Sequence, residues 1–281
     1  MSEPANQRGV QDSQEAAVAD ASASEQVDSV WCVLLAAGSG QRFGSLKQFD
    51  SLAGARVIDH AARPAAAACD GVVAVLPAAS LATADGTVTA ATVVVAGGET
   101  RSESVRAGLA AIPASATVIL VHDAARPLAT AQLFERVIAT VRAGVPAVVP
   151  AVRVVDTIRA VDSEAGSGTV AGSGTVAGSG TVAGSSSVAG SSSVAGSSSV
   201  AGSRVVDRDL LRAVQTPQGF QADLLRRAYA GDAQATDDAG LVEELGQPIT
   251  LIEGERSNLK LTESADRIIA EALLISAQSA H

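Results

Sequence analysis

Short apolar runs rich in valine recur along the chain and alternate with longer, alanine-rich segments. The runs are Val30–Ala36, Val72–Leu76, Thr92–Ala96, Val118–Val121, Ala147–Val149 and Ile249–Ile252. Continuous apolar runs, rather than alternating apolar and polar positions, are typical of strands that are covered on both faces. The segments between them include Val57–Cys69, Ser102–Ala111 and Ala131–Ala143. This alternation predicts an α/β fold with a mostly parallel central sheet and helices on both of its faces.

One of these runs ends in a cluster of charge, within "VILVHDAARPL" at residues 118–128. The apolar run is followed at once by His122, Asp123 and Arg126. Ligands on parallel sheets bind outside the carboxyl ends of the strands. The cluster therefore predicts a functional site at this edge of the sheet. We expect His122 to be a hydrogen-bonded residue at the strand end rather than a catalytic base.

The first run leads into a glycine-containing loop, Ala36-Ala37-Gly38-Ser39-Gly40, with Arg42 and Lys47 close behind. Glycines allow backbone N–H groups to approach a phosphate closely, and the following cations neutralise its charge. The spacing matches neither a dinucleotide-binding fingerprint nor a P-loop. The loop predicts a polyphosphate site, and a plain tight turn is the alternative.

The third run ends in "VAGGETRSESV" at residues 95–105. The Gly97-Gly98 turn can expose main-chain groups to the edge of a planar ligand, and a helix is expected to begin near Ser102. The alternative is a plain helix start whose charges are solvated, namely Glu99, Arg101 and Glu103.

Composition narrows the class of protein. The chain has 281 residues, of which 47% are hydrophobic, and a formal net charge of −10, which argues against binding to nucleic acid or anionic membranes. Six of the acids and only one base fall in residues 1–29, which we expect to form a disordered acidic tail rather than a signal peptide. No apolar run reaches the roughly 18 residues of a membrane span. Cys32 and Cys69 give no disulfide framework, so they are predicted to be reduced core thiols of a cytoplasmic protein.

Residues 165–200 consist of six hexads, "AGSGTV" three times and then "AGSSSV" three times. Their glycine and serine content predicts a flexible loop. The alternative is a left-handed β-helix, but the stretch supplies only about two coils, fewer than the three or so repeats that a stable stack needs.

The motifs together resemble the 2-C-methyl-D-erythritol 4-phosphate cytidylyltransferase family. They are "LLAAGSGQR…K", "AGGETRSESV", "VHDAARP", "VVDTIRAV", "LLRAVQTPQGF", "ATDDAGLVEEL" and "SNLKLT". The related ribitol-5-phosphate cytidylyltransferases share much of this signature. The resemblance implies a Rossmann-like nucleotidyltransferase domain over residues 30–281. It also implies a protruding β-arm, about residues 152–208, which carries the repeat insertion 165–203 and embraces a second subunit in a homodimer.

The resemblance also implies roles for individual residues. The CTP-binding positions would be Ala36, Ala37, Gly38, Gly40, Gly98, Glu99, Ser104 and Asp123. The catalytic positions would be Arg42, Lys47, Arg208 and Lys260, and methylerythritol phosphate would be held by Thr157, Arg208, Thr216 and Lys260. Asp123 would also adjoin a Mg²⁺ ion, with Arg126 as the companion arginine of its motif. We expect Lys260 to lie at a strand end, just before the last helix.

The chemistry of such a transfer suits these residue types. A phosphate monoester oxygen attacks the α-phosphorus of CTP and expels pyrophosphate, so no general base is required. Catalysis then consists of positioning and of stabilisation by Arg, Lys and Mg²⁺. Two alternatives stay open: transfer to ribitol 5-phosphate, and a CTP-binding sensor. The sensor would have lost catalysis because its loop between Arg42 and Lys47 is about two residues shorter than the family's usual loop.

Overall fold

The computed structural model describes residues 28–38, 46–161, 203–235 and 237–278. The acidic tail up to residue 27, the hexad repeats, and the predicted site residues Gly40 and Arg42 lie outside these ranges. The chain divides into two compact units, one of Met1–Val152 with Ala213–His281 and one of Arg153–Arg212. We call the second unit the arm segment; the domain boundaries drawn from the sequence remain a prediction.

Twelve strands and six α-helices are present in the described part of the chain. The strands are β1 (Val30–Leu35), β2 (Ser51–Leu52), β3 (Ala55–Arg56), β4 (Gly71–Leu76), β5 (Val93–Ala96), β6 (Val118–Asp123), β7 (Ala147–Arg153), β8 (Ile158–Val161), β9 (Ser203–Val206), β10 (Arg212–Val214), β11 (Gln218–Gln221) and β12 (Thr250–Glu253). The helices are α1 (Val57–Ala68), α2 (Arg101–Ala110), α3 (Ala131–Arg142), α4 (Ala222–Ala228), α5 (Asp238–Glu244) and α6 (Ser264–Gln278).

The central sheet has the strand order β10-β7-β11-β6-β1-β4-β5, and β12 pairs in addition with β7. β1 is parallel to β4 and β6, β4 to β5, and β12 to β7, which confirms the mostly parallel sheet. β11 is antiparallel to both β6 and β7 and was not predicted. With four residues, "QGFQ", it is too short and too polar to be recognised as a buried strand by its pattern.

Hydrophobic side chains cover both faces of the sheet. Along β1, Cys32 and Leu34 belong to one buried cluster, whereas Val33 belongs to another. The first cluster receives side chains from α1 and α3, and the second receives them from α2, α4 and α5. Because successive residues of a strand point to opposite faces, a continuous apolar run is what such a two-sided core needs. The expectation drawn from the valine-rich runs is therefore confirmed.

The register of the parallel strands brings their carboxyl ends together. Asp123, the last residue of β6, is paired with Leu35, the last residue of β1. Leu35 is in turn paired with Val75 near the end of β4. The loops that follow β1, β5 and β6 therefore emerge at one edge of the sheet, where the sequence predicted the site.

The arm segment contains a separate two-stranded antiparallel sheet of β8 and β9. Ile158 is paired with Val206 and Val161 with Ser203. Along the chain, β8 ends before the hexad repeats and β9 begins after them.

The two cysteines lie in different parts of the fold. Cys32 is buried in β1, and Cys69, which is half-buried, follows α1; neither forms a disulfide. Burial raises the pKa of the Cys69 thiol to about 12.

The placement of Lys260 at a strand end was wrong, because β12 ends at Glu253 and Lys260 lies in an irregular segment before α6. Among the described helices, none has the length and apolarity that a membrane crossing requires.

Candidate active site

A cavity of about 700 Å³ opens at the carboxyl ends of the parallel strands. Its lining includes nine of the residues that the sequence proposed, namely Ala36, Ala37, Gly38, Lys47, Gly98, Glu99, Ser104, Asp123 and Lys260. It also includes seven residues that the sequence did not propose, Leu35, Gln48, Thr100, Arg101, Ala124, Ala125 and Thr262. We call this space the site cavity.

Gln48 is hydrogen-bonded to the main chain of the loop after β1. Its Nε2 donates to the carbonyl oxygen of Ala36 at 2.8 Å and to that of Gly38 at 3.3 Å. Gln48 is buried, so these bonds replace contacts with water. They fix the direction of two main-chain carbonyls of the loop. Nothing in the local pattern marked this residue beyond its position next to Lys47.

Lys47 reaches the site cavity from a short 3-10 helix, Lys47–Phe49. Its Nζ donates to the carbonyl oxygen of Leu261, in the segment that precedes α6. Lys47 is therefore among the residues that line the cavity, and its role in catalysis stays a prediction.

Backbone packing keeps the turn after β5 tight. A Cβ on Gly97 would lie 2.4 Å from the Cβ of Ala37, and one on Gly98 would lie 2.4 Å from the Cβ of Glu103. No side chain fits at these distances, so glycine is needed at 97 for the turn to lie against Ala37 and at 98 for it to lie against the first turn of α2.

The first turn of α2 is capped by side chains of its own residues, and the roles of its charges towards a ligand stay predictions. The Thr100 side chain accepts from the Glu103 N–H at 3.1 Å, and Glu103 Oε2 accepts from the N–H groups of Glu99 at 2.7 Å and Thr100 at 3.2 Å. Glu103 is thus part of a capping box, not a merely solvated charge. The buried Ser104 donates its hydroxyl to the Thr100 carbonyl at 3.0 Å.

Asp123 lies between two cations at the cavity wall. Its Oδ2 is 2.7 Å from Nζ of Lys260, and its Oδ1 is 3.9 Å from a terminal guanidinium nitrogen of Arg101. Burial raises the pKa of the Asp123 carboxyl, but the charges of Lys260 and Arg101 outweigh burial and hold it below its ordinary value. Asp123 is therefore an ionised, acceptor-only group at neutral pH.

Arg101 is the main residue that sequence reasoning missed. Its two terminal nitrogens lie 3.0 Å and 2.6 Å from the two carboxylate oxygens of Asp238, and the Tyr229 hydroxyl donates to Asp238 Oδ1 at 2.6 Å. Burial lowers the pKa of Arg101, but Asp238 reverses this and raises it above its ordinary value. Its partner is 137 residues away in sequence, so no local pattern could have identified it.

His122 and Thr216 lie behind Asp123. The Thr216 hydroxyl is 2.9 Å from Nδ1 of His122 and accepts from the Asp123 N–H at 3.0 Å, while His122 Nε2 is 3.3 Å from the carbonyl oxygen of Arg126. Burial lowers the pKa of the fully buried His122 to about 4, so the ring is neutral at pH 7. The expectation of a hydrogen-bonded strand-end histidine is confirmed. Thr216 is buried and does not line the cavity.

Arg126 ties the turn after β6 to two other segments. It donates from one terminal nitrogen to the carbonyl oxygen of Asn258 at 2.8 Å and from the other to that of Val214 at 3.2 Å. Asn258 donates in turn to the Thr216 carbonyl at 2.9 Å. Arg126 is absent from the cavity lining, so its visible role is to hold the walls of the site together.

Besides Thr216, two more of the predicted substrate residues are absent from the lining of the site cavity. Thr157 and Arg208 are exposed residues of the arm segment, whereas the cavity lining belongs to the other unit. Within the arm segment, Arg208 donates from a terminal nitrogen to the carbonyl oxygen of Val155 at 2.6 Å. Their roles stay predictions.

The acidic side chains of the cavity are few. Within the described ranges, no group of three or more His, Cys, Asp and Glu side chains is arranged to hold a metal ion. The acidic groups on the lining are Asp123 and Glu99. Mg²⁺ is commonly held by one or two carboxylates together with substrate phosphates and water, so Asp123 fits such an ion only when a polyphosphate is present.

The sequence matches the model of one protein family. That family is described as IspD, 2-C-methyl-D-erythritol 4-phosphate cytidylyltransferase, and the match covers residues 30–178 and 193–276. The matched segments contain every residue that the sequence proposed for the site.

Curated relatives and solved structures agree with this match. A 2-C-methyl-D-erythritol 4-phosphate cytidylyltransferase of Nocardia farcinica is 41% identical over 252 residues, which is 88% of this chain and 94% of the relative. One of Rhodococcus opacus is 39% identical over 244 residues, or 85% of this chain and 92% of the relative. The crystal structure of the cytidylyltransferase of the same name from Thermus thermophilus is similar, with a TM-score of 0.64 and 31% identity. That comparison covers 86% of this chain and 98% of the other.

Proposed function

The chain belongs to the 2-C-methyl-D-erythritol 4-phosphate cytidylyltransferase family, and we infer from this that it transfers a cytidylyl group from CTP to 2-C-methyl-D-erythritol 4-phosphate. The products are CDP-methylerythritol and pyrophosphate, on the route to isoprenoid precursors. One observation supports this function most directly: nine of the residues that the sequence proposed for the site line one cavity, at the carboxyl edge of the sheet. Two of the nine are the lysines Lys47 and Lys260.

We assign CTP to the site cavity on the basis of its lining. The loop after β1 supplies Ala36, Ala37 and Gly38, and the turn after β5 supplies Gly98 and Glu99. The absence of a side chain at Gly38 and Gly98 lets main-chain groups approach the nucleotide at both places. Gly40 and Arg42, which match family positions in the same loop, are assigned to the triphosphate by the sequence match alone.

The transfer is a displacement at the α-phosphorus. A phosphate oxygen of methylerythritol phosphate forms the new P–O bond, the bond from the α-phosphorus to its bridging oxygen breaks, and pyrophosphate leaves with the electron pair. The nucleophile is already an anion, so no residue has to accept a proton. His122 suits this scheme because it is buried, hydrogen-bonded and neutral.

Cations are what the reaction needs, because two anions must meet and charge grows on the leaving pyrophosphate. We assign Lys47 to the leaving phosphates and Lys260 to the phosphate of the acceptor. By their match to the family motifs, Thr157, Thr216 and Arg208 are the other residues assigned to methylerythritol phosphate. Thr216 would act through the main-chain position of Asp123, because its own hydroxyl is buried.

We also propose Mg²⁺ as the cofactor. Asp123 would hold it together with phosphate oxygens of CTP, because it is an ionised carboxylate on the cavity wall. When bound, the ion neutralises phosphate charge and orients the triphosphate. Asp123 would have to release Lys260 in part, which frees the ammonium group for the acceptor phosphate.

A homodimer that forms through the arm segment is part of the proposal. The arm segment exposes several large apolar side chains, with Val155 56%, Val161 59%, Val205 59% and Leu210 81% exposed. Apolar groups at this density are typical of a surface that another chain covers. Light scattering coupled to size-exclusion chromatography tests the dimer directly. A cytoplasmic location remains a prediction from the two free cysteines.

A pyrophosphate-release assay tests the activity. The purified full chain is mixed with CTP and Mg²⁺ and with either methylerythritol 4-phosphate or ribitol 5-phosphate. We expect product with the first acceptor, and a chelator should abolish it. Product with ribitol 5-phosphate alone would establish the alternative acceptor, and CTP binding without product from either acceptor would establish a sensor.

A further inference from the structure

Arg101 is hydrogen-bonded to Asp238, which is itself hydrogen-bonded to Tyr229, and neither of these two residues lines the site cavity. Asp238 binds both of its terminal nitrogens, at 3.0 Å and 2.6 Å, and Tyr229 donates to the same carboxylate at 2.6 Å. Asp238 is completely buried, while the Arg101 side chain is 27% exposed and lines the cavity. The three residues form a row that runs from the core to the cavity wall.

The row fixes the orientation of the guanidinium group. Two parallel hydrogen bonds from a planar guanidinium to a carboxylate define its plane as well as its position. The group cannot turn away without leaving a buried carboxylate unpaired, which is strongly unfavourable. Tyr229 occupies a further lone pair of that carboxylate, so Asp238 itself cannot rotate freely.

Arg101 also approaches Asp123. The terminal nitrogen that binds Asp238 Oδ2 lies 3.9 Å from Oδ1 of Asp123, whose other oxygen is 2.7 Å from Lys260. Arg101 and Lys260 therefore attract the two oxygens of the Asp123 carboxylate from different sides. If Arg101 were free to move, Asp123 would be drawn towards Lys260 alone instead of keeping its place between two cations.

We propose that Asp238 and Tyr229 are positioning residues for the cytidylyl transfer, which fix Arg101 at the cavity wall so that it holds Asp123 opposite Lys260. The inference rests on the proposed function for the identity of the reaction. It goes beyond that function because neither Asp238 nor Tyr229 lines the cavity, and Asp238 binds Arg101, which does.

A double-mutant cycle on CTP binding and turnover tests this route. The variants are Asp238→Asn, Arg101→Gln and the two together, each measured by titration calorimetry with CTP and by pyrophosphate release. We expect Asp238→Asn to lower kcat/KM for CTP by about tenfold or more, since small misplacements can cost up to about a hundredfold. In the Arg101→Gln background, Asp238→Asn should have no further effect on either quantity, because its route is already interrupted.

Two further variants cover the case in which Asp238→Asn does not fold and supply a control. Tyr229→Phe removes only the hydroxyl bond and should give a smaller change in the same direction, which also disappears in the Arg101→Gln background. Arg106→Gln is the matched control: Arg106 is in the same helix and contacts Tyr229, but it is absent from the site cavity. Its CTP affinity and kcat/KM should match the wild type. If Asp238→Asn does not fold, Tyr229→Phe decides the cycle.

The outcomes separate the inference from the proposed function. Wild-type kinetics in Asp238→Asn or, where that variant does not fold, in Tyr229→Phe overturns the positioning role. So do additive effects in the double mutant, because Asp238 would then act by another route. A wild-type protein that binds CTP but transfers nothing to methylerythritol phosphate removes the proposed function instead. The cycle on CTP affinity then still decides whether Asp238 acts through Arg101.

Discussion

Lys260 and Asp123 form an ion pair of 2.7 Å that joins the segment before α6 to the end of β6. The Lys260 side chain is 45% exposed and that of Asp123 is 14% exposed, so the pair sits at the cavity wall rather than in the core. An exposed ion pair of this kind adds little to stability. Its value is that it keeps a cation and an anion next to the place where two phosphates must meet.

Replacing Lys260 with methionine keeps most of the side chain's bulk and removes its charge. Turnover should fall by about 10²–10³, the cost typical of losing one transition-state contact, while the thermal unfolding midpoint changes little. Steady-state pyrophosphate release with a circular dichroism melt checks both. Lys260→Arg is the matched control and should recover part of the rate. A methionine variant with wild-type turnover would exclude Lys260 from the chemistry.

Lys47→Ala should lower turnover far more than it weakens CTP binding. Its charge matters most as pyrophosphate leaves, and a loss of about 10²–10³ in rate is expected. Single-turnover kinetics and calorimetry with CTP separate the two effects. Lys47→Arg retains the charge and serves as the comparison. Equal losses in binding and in turnover would mean that Lys47 binds the ground state only.

Arg208→Ala should raise the KM for methylerythritol phosphate and leave CTP affinity nearly unchanged. The reason is that Arg208 belongs to the arm segment, whereas the CTP residues line the site cavity of the other unit. Arg204→Ala is a control in the same segment, since Arg204 is also exposed and is not among the residues assigned to either substrate. Calorimetry with CTP decides the point: a large loss of affinity in Arg208→Ala would contradict the assignment.

His122 makes the stability of the protein depend on pH. Its pKa is about 4 in the folded chain against an ordinary value of 6.5, so between these values the unfolded chain binds a proton that the folded chain does not. This contribution to stability is therefore complete above pH 6.5 and is lost as the pH falls towards 4, at up to about 1.4 kcal/mol per pH unit.

Urea denaturation at several pH values between about 5 and 7.5 measures that slope. His122→Gln cannot titrate, so its unfolding free energy should be lower at pH 7 but should fall less steeply on acidification. Parallel slopes in the two proteins would mean that folding does not lower the pKa of His122.

Some parts of the site were predictable because they follow from local pattern. Asp123 and Gly38 each lie just beyond an apolar run, and in a parallel sheet such strand ends meet at one edge. Other parts were not. The strand β11 joins two strands through four residues whose pattern does not differ from a loop. Lys260 reaches Asp123 from an irregular segment, so its assignment came from the family motif and its predicted strand did not exist.

The sequence by itself determined which segments are buried and which residues close them, because burial on both faces requires continuous apolar runs and tight turns require glycine. Only the tertiary structure decided which charges meet. The chain has 30 acidic side chains, and nothing local marks Asp238 as the partner of Arg101. That pairing depends on α2 and α5 packing on the same face of the sheet, where a largely buried guanidinium is stable only if a carboxylate lies within reach.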